Sequence, residues 1–570
     1  MLVERYPWLR FFQPRPYEGE ISLSGEHGSA KGKLKLLHLV FQSISGISPA
    51  GSAAATLTAA AYYAKGALPF AQLLSFIAGY LLVNSTWWFS REIATSGGFL
   101  GFAAAGIGPR WGIVAGSLYI MQNLCTIGYS SLFLAGPLFS GVIESLTGVT
   151  YPSKVWVAIL IGFYILIAVM VFSGIKLSLD VAAYTGIVEL ILLFVIAVVI
   201  AARAGDLNTG QAFNPDNAKN RPDFAIGALL SLFTVAGYSS SVNLAEEVSN
   251  PRKKIPLAVV IAYTTCGSIF VLTAYAYTVG WGYKHMDSFA NSLVPGIILT
   301  RKYADDFLAW VYFIFIFQST FFICVASILV CVRIAFAMAR DGVIFPWWIA
   351  KLSKSGEPQY ANALMLAVCF IISLVTGLIM GSDDGYNFLA VCASLSIFSA
   401  HILANISLPF YFWKIKKFRV VFHAIAPILA NVMLLFGIFF TMYPYDPQTL
   451  GAPIWTGVWL IATFLLTYAS PKKNLDLYMK RLNIRSYDDN RGRTNEGPND
   501  DTEGLGQATN DTSSQPVARL DKEEIEIAPQ LSLGEKDKND PGLRDWMLSS
   551  YGRQKSSIVC VLHLLHGFLE

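Results

Sequence analysis

The chain has 570 residues, 54% of them hydrophobic and only 14% charged, with a formal net charge of +4. A soluble domain carries about 25% charged residues on its exterior. The deficit therefore excludes an ordinary soluble enzyme, and no nucleic-acid partner is expected. Seven cysteines lie mostly inside apolar runs without a C-x-x-C pair, so neither a disulfide frame, a metal site nor a cofactor is expected.

Residues 1–35 are polar and carry Arg5, Arg10, Arg15, Lys31, Lys33 and Lys35. They read as a cytoplasmic N-terminal arm with no cleavable leader. Apolar runs of about 20 residues follow, the length that crosses a hydrocarbon core of about 30 Å. Backbone in lipid must satisfy its own hydrogen bonds, so these runs are helices or barrel strands. Segments such as 159–172 and 187–202 are apolar all round rather than alternating, which selects helices. Twelve transmembrane helices are expected, at 36–64, 69–90, 111–142, 153–173, 180–203, 224–246, 256–281, 306–338, 363–381, 384–412, 418–443 and 453–470. The transporter domain thus spans 36–470. Residues 471–570 form a polar tail expected to be disordered, ending in a short apolar patch, Ile558 to Leu569, that could lie at an interface. Lysines and arginines in the loops favour one side by fourteen to eight. The positive-inside rule then places both termini in the cytoplasm, in what is expected to be the plasma membrane.

Two spans are not clean helices. The first reads Phe41-Gln-Ser-Ile-Ser-Gly-Ile-Ser-Pro-Ala-Gly-Ser52, and Pro49 has no amide proton to continue a ladder. The sixth reads Phe233-Thr-Val-Ala-Gly-Tyr-Ser-Ser-Ser-Val-Asn243. Unwound backbone at membrane depth occurs only where it lines a cavity or is buried in protein. Breaks in spans 1 and 6 match a five-plus-five inverted repeat, with spans 11 and 12 outside it. A half-helix starting near Ala50 would offer amide protons to a carboxylate. Carbonyls freed near Ser45, Gly46, Ala236 and Gly237 would accept from an ammonium. The expected substrate-binding residues are Ser45, Gly46, Ile47, Ser48, Gly51, Ser52, Phe233, Ala236, Gly237, Tyr238 and Asn123, with Tyr119, Ser319 and Ser394 as further pocket candidates. The competing reading is that small residues here only permit close helix packing.

Glu189 lies inside span 5, where a carboxylate is costly and by default functional. It is either a proton carrier or a structural carboxyl hydrogen-bonded to span 1. His401 in span 10 is a second titratable candidate, and Asp180 reads as interfacial. Glu246, Glu247 and Arg333, with Arg340 nearby, are expected to form a gate on the basic side. Exposed pairs of this kind would contribute only about 0–1 kcal/mol each.

Four segments together resemble one family. They are Ser45-Gly-Ile-Ser-Pro-Ala-Gly-Ser52, Thr95-Ser-Gly-Gly-Phe99 with Gly108-Pro-Arg-Trp-Gly112, Ala245-Glu-Glu-Val-Ser-Asn-Pro-Arg-Lys-Lys-Ile-Pro256, and Arg333-Ile-Ala-Phe-Ala-Met-Ala-Arg-Asp-Gly342. In that order they resemble the amino acid–polyamine–organocation superfamily of permeases. The resemblance implies a leucine-transporter-like fold, alternating access, and proton or sodium coupling or exchange. Some proton-coupled members have a lysine where this chain has Glu189, so their coupling cannot be copied across. The function expected is secondary transport of amino acids, with proton symport. The alternatives are a carrier of polyamines or other organic amines, or a non-transporting nutrient sensor. No H-E-x-x-H, G-x-S-x-G or Walker A motif supports an enzyme or an ATP-driven pump.

Overall fold

The computed structural model describes residues 34–149, 152, 154–353, 356–442 and 451–481. The expected arm, apart from its last two residues, and the apolar patch at 558–569 lie outside the described residues.

Helices make up the fold. Span 1 is in three pieces, α1 (Leu36–Ile47), α2 (Pro49–Ala54) and α3 (Thr56–Ala64), and is followed by α4 (Leu68–Ala78) and α5 (Tyr80–Glu92). A short helix α6 (Phe99–Ile107) leads into α7 (Pro109–Phe133) and, past a wide turn at Pro137, α8 (Phe139–Thr147). Next come α9 (Val155–Phe172), α10 (Ile175–Arg203), α11 (Arg221–Phe233) and α12 (Pro251–Trp281). Two short helices, α13 (Met286–Ala290) and α14 (Pro295–Tyr303), precede α15 (Asp306–Arg340). The last five are α16 (Gln359–Met380), α17 (Ser382–Lys414), α18 (Ala426–Met442), α19 (Gly451–Ala469) and α20 (Lys472–Arg481).

Ten helical runs among the described residues are long and apolar enough to cross a membrane. Spans 36–64 and 224–246 do not stand in that set as helices of their own. Ser48 ends the first after 12 residues and Thr234 the second after 13. The remaining part of span 1 runs on into span 2.

The core sits around α7 and α15. Helix α7 packs between α17, α6 and α15, and 94% of the most apolar stretch of α15 is buried inside the protein. By contrast α16, α18 and α19 turn most of their apolar surface outward, with Ile379, Ile428, Ile461 and Leu465 all more than 60% exposed. Such faces suit lipid rather than water.

Two features differ from expectation. The Gly97-Gly98 loop leads into α6, whose residues Phe99 to Ala105 are all buried. The tail does not begin at 471, because α20 is ordered against the bundle. Leu475 and Tyr478, three residues apart on one face, are buried, and Tyr478 donates to the Leu100 carbonyl at 3.0 Å. Asn474 donates to the Gly342 carbonyl at 2.7 Å.

Candidate functional site

The first break is a single residue wide. Ser48 adopts a left-handed conformation at φ 56°, ψ 72°, which few side chains other than glycine tolerate well. Its N–H still bonds the Ile44 carbonyl at 2.9 Å, closing α1, and Pro49 then opens α2. The carbonyl of Ile47, left without a helical partner, accepts from Ser52 Oγ at 2.7 Å. The amide of Ala50, expected to be free for an anion, instead donates to Glu189 Oε1 at 2.8 Å. The same oxygen accepts from Ser319 Oγ on α15 at 2.5 Å, and Ser319 bonds Ser48 Oγ at 2.9 Å. Glu189 is 2% exposed and forms no ion pair among the described residues. One carboxylate therefore ties α10, α15 and the span 1 break together.

The second break is longer. After Phe233 the chain turns through 234–239 and continues as a 3₁₀ segment, Ser240–Glu247. Gly237 has φ 96°, a region that L side chains avoid. The two breaks meet here. A Cβ on Gly237 would strike the backbone of Gly46, and a Cβ on Gly46 would strike Ser240 Oγ and lie 2.8 Å from the Gly237 carbonyl. Ser43 and Ser241 join the same pair of segments through a 2.8 Å hydroxyl contact. Ser240 Oγ donates to the Gly237 carbonyl, so that acceptor is already occupied.

The expected binding residues separate into groups. Ser48, Gly51 and Ser52 line a small cavity of about 20 Å³, room for roughly one water, with Thr320, Tyr129, Phe133 and Tyr386 among its other walls. Ser45 and Ile47 are buried in α1, and half-buried Ala236 adjoins Gly237 in the second break. Phe233 packs on Phe398, with ring centroids 4.8 Å apart. Asn123 donates to Tyr119 O and Gln122 Oε1, both at 2.8 Å on its own helix, and so serves α7. Ser394 likewise bonds its own helix, at Ala390 O. Tyr119 reaches Ser239 at 3.2 Å. Tyr238 stacks on His401 at 6.0 Å, and His401 meets Phe99 edge-on at 4.7 Å. Sequence reasoning missed the ring cluster of Tyr129, Phe133 and Tyr386. The four-residue spacing of the first two on α7 was its only signal.

On the basic side, Arg333 Nε donates to Glu247 Oε1 at 2.9 Å, and Arg340 reaches Glu246 Oε2 at 3.3 Å. Glu246 also accepts from the Ser96 amide at 3.1 Å and hydroxyl at 2.8 Å. These pairs are not exposed as expected, since the side chains of Arg333 and Glu247 are 1% and 10% accessible. Removing one partner of a buried pair costs about 3–5 kcal/mol, against about 0–1 kcal/mol at a surface. Beyond the Arg333–Glu247 pair opens a cavity of about 680 Å³, also walled by Asp180, Glu357 and Asn362. Asp180 is more than interfacial, because it holds His38 Nε2 of α1 at 2.9 Å.

An all-helical bundle with apolar outer faces, two interrupted helices in mutual contact and buried charges at one end is the architecture of a multi-pass membrane carrier. The model of the family described as "Amino acid permease" matches residues 38–481, and the chain belongs to that family. It is 25% identical over 482 residues to a methylthioribose transporter of Bacillus subtilis, covering 80% of this chain and 97% of that protein. It is 23% identical to the amino-acid permease BAT1 of Arabidopsis thaliana, over 54% of this chain and 64% of that protein. It is 29% identical to the thiamine transporter thi9 of Schizosaccharomyces pombe, over 29% of each chain. These relatives are transporters rather than enzymes, and this protein is a membrane transporter of small organic molecules.

Proposed function

We propose that the protein is a secondary active, alternating-access carrier of a small nitrogenous cargo, an amino acid or an amine, driven by proton symport. The observation that carries the reading is the backbone contact between the two breaks at Gly46 and Gly237. Counting the interrupted segments as spans gives twelve, arranged as a five-plus-five inverted repeat with α18 and α19 added. The basic side is the cytoplasmic one, with both termini on it, and the membrane is the plasma membrane. The Arg333–Glu247 and Arg340–Glu246 pairs act as the inner gate. The 680 Å³ cavity beyond them is the route between the gate and the cytoplasm.

The proton resides on Glu189. Its bonds to Ala50 and Ser319 support this role, because a change in its protonation alters the hold between α10, α15 and the span 1 break. Sodium is the competing coupling ion. The relative named for thiamine supports a nitrogenous cargo other than an amino acid, while methylthioribose, a sugar without nitrogen, lies outside the proposed class.

The test is uptake of radiolabelled amino acids and amines into proteoliposomes, with and without an inward proton gradient. Uptake that the gradient drives above equilibration is the expected result. Accumulation that requires sodium and ignores the proton gradient would replace the proton in this scheme.

A further inference from the structure

We infer that the corner where the end of α5 meets the turn between α17 and α18 is a binding site for an anionic phospholipid, held through its headgroup phosphate.

The first observation is a pair of cations without an acid. Arg91, next to last in α5, and Arg419, in the turn, each place the guanidinium carbon 5.4 Å from the centroid of one ring, that of Trp88. Neither forms an ion pair among the described residues. Glu92, the neighbouring acid, is taken by Lys417 at 3.1 and 3.3 Å. The face of an indole attracts each cation, but the two repel one another, and an anion that binds both relieves that repulsion. A phosphate suits the planar fork of donors that a guanidinium presents. Arg333 and Arg340, by contrast, already hold acids of their own.

The second observation is that buried contacts set the frame beneath the pair. His423 is fully buried, and its Nδ1 accepts from the Arg419 amide at 2.9 Å. Its ring stacks on Phe412 at 3.9 Å and meets Trp88 edge-on at 4.8 Å. Asn84 Nδ2 donates to the Phe422 carbonyl at 2.7 Å, joining α5 to the same turn. A frame fixed before a ligand arrives lowers the ordering cost of binding.

The third is an apolar skirt for which a free phosphate has no use. Trp413 is 73% exposed, and Val420, Val421 and Phe422 are exposed on the same turn as Lys414 and Lys416. Four bases fall within 413–419. Bases and apolar rings side by side fit the depth at which acyl chains give way to headgroups. On the orientation proposed above, that depth lies in the cytoplasmic leaflet, where anionic lipids are found. A lipid bound here would clamp α5 to α17 and α18.

The experiment uses the full chain purified in detergent. Melting temperature, and lipid retained in native mass spectrometry, are measured with added dioleoyl phosphatidylserine, dioleoyl phosphatidylcholine or inorganic phosphate. Phosphatidylserine is expected to raise the melting temperature and to stay bound, and the other two to do neither. The double variant Arg91→Gln with Arg419→Gln should weaken phosphatidylserine binding about tenfold or more, and either single variant about threefold. Lys176→Gln, which removes an exposed charge beside the 680 Å³ cavity instead, should leave binding unchanged. Melting without added lipid confirms that each variant folds. Equal stabilisation by phosphatidylcholine would overturn headgroup recognition, and equal stabilisation by inorganic phosphate would overturn the lipid as the ligand. Undiminished phosphatidylserine binding by the folded double variant, or an equal loss in Lys176→Gln, would overturn this corner as the site. Each of these outcomes leaves the carrier reading intact.

Discussion

At the scale of single residues, Glu189 and Gly237 show what a sequence reveals and what it withholds. That a carboxylate in the middle of an apolar run must have a purpose follows from its desolvation cost alone. Its partners do not. Ala50 lies 139 residues away and Ser319 lies 130 away, and only the packed bundle brings them to one oxygen. Replacing Glu189 with Gln keeps a side-chain oxygen able to accept both hydrogen bonds while removing the titration. The variant should fold and transport, but its uptake should lose its dependence on external pH. A pH profile like that of the unaltered protein would refute the proton role. Gly237→Ala is expected to be far harsher, because φ 96° disfavours any Cβ and the backbone of Gly46 occupies the space the Cβ would need. Transport should fall by about tenfold or more, with a backbone cost on the order of 1 kcal/mol visible as a lower melting temperature.

At the scale of elements, the positions of the two breaks were legible because Pro, Gly and Ser interrupt otherwise apolar runs. Their contact with each other was not, since it depends on how α1 and the 3₁₀ segment cross. The buried helix α6 was missed for a related reason. Its nine residues are too few to span, and burial on all sides is a property of its neighbours. Helix α20 was concealed by composition. Lysines at 472, 473 and 480 make it read as tail, yet Leu475 and Tyr478 fasten it to the bundle. Tyr478→Phe removes only the hydroxyl that donates to Leu100 O. It should lower stability by about 0.5–1.5 kcal/mol, read from thermal unfolding in detergent, with uptake unaffected.

At the scale of the whole molecule, the charged residues are grouped at the end where Arg333 and Arg340 meet their acids. The residue types and their grouping at one end were readable from the sequence, but their depth was not. Arg333→Met should therefore destabilise the protein by about 3–5 kcal/mol, since it leaves Glu247 buried without its partner. The double variant Arg333→Met with Glu247→Leu should recover part of that loss. Glu246→Gln, which spares the deeper pair, should reach the membrane and yet transport poorly. Normal transport in that variant would remove Glu246 from the gate.

The difference in depth between the two ends extends to their response to ionic strength. Mobile ions screen charges only where they can come between or around them, over a Debye length of about 8 Å in physiological salt and about 3 Å at 1 M. The Arg333–Glu247 pair, 1% and 10% accessible, meets such ions only along its edge on the 680 Å³ cavity. On the opposite side, Lys65 and Asp287 meet at 2.7 Å with the aspartate side chain 80% accessible. Concentrated salt would loosen that exposed clasp more than the buried one. On the alternating-access reading proposed above, the balance between the two states would then shift with the salt concentration of the surroundings, without any change in cargo or driving gradient.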